Sequence, residues 1–257
     1  MAEEDRHFVT ALARGLTVLA CFRAADGLLG NQELARRTGL PKSTVSRLTG
    51  TLARLGYLSQ PAGSHQYRLG AATLALGQAP LMPPELRAAA RGPLQELADA
   101  TGAEAALGVR VEFAMLYAEH CNCSTRPIPP DSLHLGSRVA LGTSAMGMAW
   151  LAALPEAQRR ETLAQLAALR GADVPLLESA AAQAVHDHAT LGVACAFGTW
   201  RASVNAVARA FRPRPELPPV VVNCGGAARS FSQAFLLREV RPRLIDTVAR
   251  LEDAMGR

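Results

Sequence analysis

Residues 31 to 58, NQELARRTGLPKSTVSRLTGTLARLGYL, constrain the fold of this chain more than any other stretch. They read as two short helices joined by a tight turn. Leu34, Ala35 and Thr38 place small or apolar groups on one side of the first helix, Gly39 supplies the turn, and Leu40 fills the angle between the helices. Pro41 suits the first turn of the second helix, where its missing N–H is not needed. Val45, Leu48, Leu52 and Leu55 recur at three- and four-residue spacing, which predicts one buried stripe. The opposite face offers Lys42, Ser43, Thr44, Ser46, Arg47, Thr51 and Arg54. A basic, hydroxyl-rich helix of this kind fits a DNA major groove.

An ordinary helical hairpin with solvated charges has the same local pattern, so the flanks decide. Tyr57 and Leu58 open a short alternating run, Pro61, Gly63 and Ser64 form a turn, and His65-Gln66-Tyr67-Arg68-Leu69 alternates back. A β-hairpin directly after the second helix is the layout of a winged helix–turn–helix. Upstream, Phe8, Leu12, Leu16 and Leu19 predict a first helix that completes a three-helix core.

Charge agrees with this reading. The formal net charge is +5, and residues 31–70 hold Arg36, Arg37, Lys42, Arg47, Arg54 and Arg68 against Glu33 alone. This segment therefore carries the whole imbalance, as a phosphate-binding surface would. Arg47, one turn after Ser43 and Thr44, is the candidate for base-edge contact, where a bidentate Arg–guanine pair contributes about 1–3 kcal/mol of discrimination. Lys42, Arg54, His65 and Arg68 are expected on the backbone, which positions without specifying.

The 257 residues suffice for two domains of the usual size. Apolar residues make up 49% and aromatics only 5%, so the cores must be built mainly of Ala, Leu and Val. The expected domains are a winged helix–turn–helix over 1–70, a linker helix over 71–84 and a second domain over 85–257. In the last, strands are predicted near 103–110, 112–119, 132–141, 192–200, 203–211 and 219–224, and helices over 85–102, 144–154, 155–170, 174–190 and 232–255. This is α+β, a mixed or antiparallel sheet flanked by helices. No run approaches the roughly 18 apolar residues of a membrane span, and the polar start MAEEDRHF does not resemble a secretory signal, so a cytoplasmic protein is expected.

No catalytic constellation stands out. Ser144 lies in Gly-Thr-Ser-Ala-Met-Gly, not in a G-x-S-x-G elbow, and no phosphate-binding glycine loop is present. His120, Cys121 and Cys123 lack a second pair of metal ligands, and His186 and His188 sit on different helix faces, both expected in solvent. Cys195 and Cys224 lie in apolar strands, where an inert thiol is the default. Neither an enzyme nor a cofactor protein is expected; a ligand pocket suits the second domain better.

The chain resembles the IclR-type bacterial transcriptional regulators almost end to end. The resemblance rests on Glu33 through Leu48, on Tyr67-Arg68-Leu69-Gly70 closing the wing, on Gly136, and on Ser144-Ala145, Gly147 and Ala149. Val204-Asn205-Ala206-Val207-Ala208 and Val222-Asn223-Cys224-Gly225-Gly226 resemble its late strands. It implies a GAF-like effector-binding domain, assembly as dimers or tetramers on palindromic double-stranded DNA operators, and response to small metabolites, often organic or aromatic acids, in control of catabolic operons. By position it implies an effector pocket drawing on Leu135, Gly136, Ser144, Ala145, Met148, Phe197, Asn205, Ala206, Asn223 and Cys224. The DNA-contacting residues expected from the helix face, the wing and the charge are Arg36, Lys42, Ser43, Thr44, Ser46, Arg47, Thr51, Arg54, His65 and Arg68. The chain departs from the family at Gly198-Thr199, where an acidic residue is usual, and at Ala208-Arg209-Ala210, where a proline is. An enzyme of small-molecule metabolism carrying a DNA-binding domain is the competing expectation.

Overall fold

The computed structural model describes residues 8–23, 26–77, 82–128, 132–170 and 174–256. The chain divides into two compact units, 1–80 and 81–257.

The first unit contains α1 (Thr10–Ala20), β1 (Leu29–Gly30), α2 (Asn31–Thr38), α3 (Lys42–Arg54), β2 (Leu58–Ser59), β3 (Gln66–Leu69) and α4 (Ala71–Gly77). Gly39 takes φ 70°, a conformation that favours glycine, and its N–H is donated to Ala35 O at 2.9 Å, which ends α2. The small core is Val18, Leu29, Leu34 and Val45, with Leu40, Leu48 and Leu52 packed against it. β3 pairs with β1 on one side and β2 on the other, so the predicted hairpin is a three-stranded wing sheet whose two-residue β1 no periodicity could announce.

Two apolar stripes are corrected. Phe8, Leu12 and Leu16 are 63%, 62% and 57% exposed, and α1 instead buries Gly15 and Val18. Gly15 faces Leu48 of α3, where absence of a side chain permits close approach. Leu55, just past α3, is exposed, while Thr49 within α3 is fully buried. The Thr49 hydroxyl lies 3.0 Å from Val45 O and 3.1 Å from Asn31 Oδ1, so it joins α3 to the start of α2.

The second unit contains α5 (Pro84–Thr101), β4 (Glu104–Val111), β5 (Ala114–Cys121), β6 (Arg138–Ala140), α6 (Ala145–Ala152), α7 (Glu156–Arg170), α8 (Val174–Leu191), β7 (Ala194–Phe197), β8 (Val204–Phe211) and β9 (Val220–Ala227). A terminal helix follows as α9 (Gln233–Phe235), a π turn over Leu236–Val240 and α10 (Arg241–Met255). Pro242, near the start of α10, has no N–H for the ladder, and the helix widens ahead of it. The six strands form one antiparallel sheet in the order β6-β5-β4-β9-β8-β7. The strand expected over 132–141 is only three residues long, because Gly136 turns the chain at φ 84°.

Both faces of this sheet are covered. On one face α5 and α10 bury Leu86, Leu94, Leu244 and Val248 against Leu107, Val207, Val222 and Cys224. On the other, α6, α7 and α8 cover Ala106, Tyr117, Ala206, Ala208 and Val221. Successive residues of one strand therefore serve different layers. α6 sits so close to the preceding chain that a Cβ on Gly147 would lie 2.1 Å from Leu141 O.

Candidate functional site

Two surfaces are candidates for function, one in each unit. In the first unit Lys42, Ser43, Ser46, Arg47, Thr51 and Arg54 of α3 are exposed, Thr44 is half-buried, and His65 and Arg68 are exposed on the wing. β2 and β3 hold Arg68 opposite Ser59, and the wing tip closes through Ser64 N–H to Pro61 O at 3.0 Å. Thr51 spends its proton on Arg47 O, within its own helix.

The six cations of this segment are not equivalent. Arg37 is mostly buried and donates to Asp26 Oδ2 at 2.6 Å, Glu33 Oε1 at 2.7 Å and Cys21 O at 2.9 Å. Arg36 forms a two-point pair with Glu33, at 2.6 and 2.8 Å. The Arg37 guanidinium beside Asp26 holds that carboxyl down to about 2, and Arg36 together with Arg37 does the same to Glu33. Arg37 thus ties α2 to the segment after α1. Among the described residues no ion pair engages Lys42, Arg47, Arg54 or Arg68.

In the second unit a cavity of about 270 Å³ lies on the α6 side of the sheet. Its walls come from separate elements. Ser144 caps α6, accepting from Gly147 N–H at 3.1 Å and donating to Ala140 O at 2.6 Å, so the positive end of the helix opens on the cavity with Ala145 and Met146. The turn between β7 and β8 adds Trp200 and Arg201, whose guanidinium stacks 4.2 Å from the indole. Arg229 follows β9. Strands β4, β5 and β9 contribute Glu104, Tyr117 and Asn223. Asn223 donates through Nδ2 to Tyr117 Oη at 3.2 Å, and its Oδ1 is buried without a hydrogen-bond partner. Burial pushes the Tyr117 phenol well above its ordinary range, so it stays a protonated donor. Glu104 accepts from the Ser132 hydroxyl and lies 3.6 Å from His120 Nε2.

Of the pocket positions expected from sequence, Ser144, Ala145, Ala206 and Asn223 line this cavity. The other six lie outside it, and strand alternation explains three of them. Asn205 and Cys224 are the neighbours of Ala206 and Asn223 and so face the opposite layer; Asn205 donates to Phe231 O at 2.9 Å, and Cys224 is buried beside Thr101 with its thiol pushed up to about 12 by burial. Phe197 likewise packs toward α10 while Ala196 meets the cavity. Met148 is core on the hidden side of α6, and Leu135 is exposed in the loop where Gly136 donates its N–H to Tyr117 O at 2.8 Å. Sequence reasoning passed over Glu104, Tyr117, Ser132, Trp200, Arg201 and Arg229. A carboxylate just before the apolar run Ala105–Val109 was the signal available for Glu104.

Other expectations resolve simply. Thr199, at the departure from the family pattern, donates to Thr143 O at 2.8 Å and ties the β7–β8 turn to the entry of α6, which a carboxylate could not do. Arg209 donates to Gly192 O at 2.6 Å. His186 is exposed as expected, but His188 is half-buried, with Nδ1 enclosed and lacking a partner. Cys195 is half-buried and pushed up to about 12 by burial. Among the described residues no group of three potential ligands could hold a metal ion, and no helix is long and apolar enough to cross a membrane.

The family profile described as the IclR helix-turn-helix domain matches residues 11–62, and that described as the bacterial transcriptional regulator IclR C-terminal domain matches residues 78–189. A crystal structure of an IclR family transcriptional regulator from Brucella abortus is 39% identical, with a TM-score of 0.75 over 98% of this chain and 94% of that one. The chain belongs to the IclR family of transcriptional regulators. The HTH-type transcriptional regulator TsaQ1/TsaQ2 of Comamonas testosteroni is 28% identical across 99% of this chain and 91% of its own length. An IclR homolog from Microbacterium hydrocarbonoxydans, solved in complex with 4-hydroxybenzoate, shares the fold at 18% identity and a TM-score of 0.72, over 96% of this chain and 99% of that one. Like its IclR relatives, the protein is a regulator with a helix-turn-helix DNA-binding domain and not an enzyme.

Proposed function

We propose that this IclR-family protein binds a palindromic operator as a homodimer or tetramer and that a small organic or aromatic acid, bound in the second unit, controls its occupancy of a catabolic operon. Residues 1–70 form the DNA-binding domain, 71–84 the linker and 85–257 the effector-binding and oligomerisation domain in this reading. α3 enters the major groove with Arg47 on a base edge, while Lys42, Arg54, His65 and Arg68 hold phosphates. Two recognition helices then meet successive major-groove turns roughly 34 Å apart. The exposed Phe8 ahead of α1, Leu12 and Leu16 of α1, and Leu74 and Leu76 of α4 supply apolar surface for pairing the first units.

The observation that carries the effector assignment is the composition of the cavity. The capped N-terminus of α6, Arg201 and Arg229 border an enclosure whose wall joins apolar Ala, Val, Leu, Met and Trp side chains to a polar group of Glu104, Tyr117, Ser132 and Asn223. Such a site suits a small anion with an apolar body. The fold-sharing relative in complex with 4-hydroxybenzoate supports the acid, and the relatives named as glycerol and acetate operon regulators support control of a catabolic operon.

The test is a thermal-shift screen of the full-length protein against small carboxylic acids, followed by footprinting on the promoter nearest its gene. A ligand at 100 times its dissociation constant adds about 2.7 kcal/mol of stability. The expected result is an acid that raises Tm and changes protection of a palindrome. Protection spread evenly over unrelated DNA, or stabilisation by neutral molecules alone, would overturn the proposal.

A further inference from the structure

Glu33 is the one acidic residue among residues 31–70, and it stands in the first turn of α2. Both of its oxygens are engaged. Oε1 accepts from Arg36 at 2.6 Å and from Arg37 at 2.7 Å, and Oε2 accepts from Arg36 at 2.8 Å. The two arginines depend on it unequally. Arg37 also holds Asp26 at two points, 2.6 and 3.0 Å, and donates to Cys21 O, so it keeps its place without Glu33. Arg36 has no other acidic partner among the described residues, and its side chain is 71% exposed against 19% for Arg37. What Glu33 alone does is hold an exposed guanidinium against its own helix.

Arg36 lies one turn beyond Gln32, and both are exposed on α2. In helix–turn–helix docking the first helix of the pair crosses the DNA backbone while the second enters the groove. A guanidinium at that place is suited to two-point pairing with a phosphate, and a carboxylate takes the same pair of N–H groups. Glu33 and a DNA phosphate are therefore competitors for one side chain.

We infer that Glu33 stands in for a phosphate and governs the sequence-independent part of DNA affinity, withholding one backbone contact per protomer by occupying Arg36. The inference rests on the docking of α3 proposed above. Backbone contacts supply nearly all of the binding to unrelated sequences, whereas base contacts choose the site. Holding Arg36 back leaves the face of α3 untouched and loosens the grip on DNA of arbitrary sequence.

Fluorescence anisotropy of the full-length protein on a duplex of arbitrary sequence, about 30 base pairs long, tests this between about 50 and 200 mM potassium chloride. Glu33→Gln keeps the shape and removes the competing charge. It should steepen the slope of log affinity against log salt by about 2 for a dimer and tighten binding at least about ten-fold at the low-salt end. Adding Arg36→Gln to it should cancel both gains. Arg36→Gln alone removes a cation that Glu33 already withholds, so the slope should keep its wild-type value. Asp26→Asn takes the same charge from the same unit but loosens only the mostly buried Arg37, and should not steepen the slope. Flattening of the slope by Arg36→Gln alone shows that Arg36 already reaches phosphate and overturns the inference, whether or not Glu33→Gln folds. An unchanged slope in a folded Glu33→Gln protein, equal steepening by Asp26→Asn, or a gain that survives Arg36→Gln overturns it as well and leaves the docking of α3 standing. Failure of the wild-type protein to bind the duplex at the lowest salt overturns the two together.

Discussion

Arg54→Gln and Arg37→Gln remove the same charge from the same domain, and the structure predicts different consequences. Six cations lie within residues 31–70, but Glu33 and Asp26 hold Arg36 and Arg37 through short two-point contacts. With Arg47 on a base edge, Lys42, Arg54 and Arg68 remain for phosphates. Each neutralised phosphate contributes about 0.9 to the slope of log affinity against log salt, so two protomers on a palindrome should give a slope of about −5. If Arg36 and Arg37 also engaged phosphates, the slope would be about −9. Arg54→Gln should flatten the slope by about 2, because both protomers lose a contact. Arg37→Gln should leave the slope alone and lower the melting temperature of the DNA-binding unit, because α2 loses its tie to Asp26 and Cys21 O. Fluorescence anisotropy with an operator duplex at several potassium chloride concentrations measures the slope, and calorimetry the melting. A wild-type slope steeper than about −8, or flattening by Arg37→Gln, would show that the paired arginines reach DNA and that the ion-pair argument is wrong.

Further outcomes are expected elsewhere. Thr49→Val keeps the buried shape but strands Asn31 Oδ1, and should cost about 1 kcal/mol in a urea titration; no loss would mean the bond between α2 and α3 contributes nothing. Gly147→Ala places a methyl group against the Leu141 backbone and should destabilise the second unit by about 1–3 kcal/mol and weaken effector binding, whereas a neutral result would show that α6 can retreat. Asp26 and Glu33, both held at about 2, contribute stability that is complete above their unfolded range near pH 4.5 and is lost as pH falls toward 2. The urea midpoint of the first unit should therefore drop between pH 5 and pH 3, and Arg37→Met should blunt that drop; a rise on acidification would contradict the ion-pair account.

The winged helix was legible because its signals are local. Gly39 and Pro41 mark a turn and a helix start wherever they occur, and the stripe from Leu34 to Leu52 survives in the core. The first helix misled because apolar residues ring it: Phe8, Leu12 and Leu16 look like a core stripe, yet the narrow Gly15–Val18 side is what fits against α3. In the second unit the strands were found, but their inward faces were not. A sheet covered on both sides loses the alternation of polar and apolar residues that reveals direction, so nothing in Asn205-Ala206 or Asn223-Cys224 said which member met the cavity. Glu104, Tyr117 and Asn223 come from three strands, and only the pairing of β4 with both β5 and β9 brings them together.

Much of the cavity is bounded by main chain where a side chain would normally stand. A methyl group at Gly225 would lie 2.4 Å from Asn205 O, and one at Gly226 would lie 2.6 Å from the Phe231 ring, so neither position can be used to adjust volume without moving its neighbours. Ala145, Ala196 and Ala206 also line the cavity and can be enlarged a methylene at a time. For biosensor engineering this separates the dials from the chassis: cavity size is tuned at the alanines, and the glycines are left as they are.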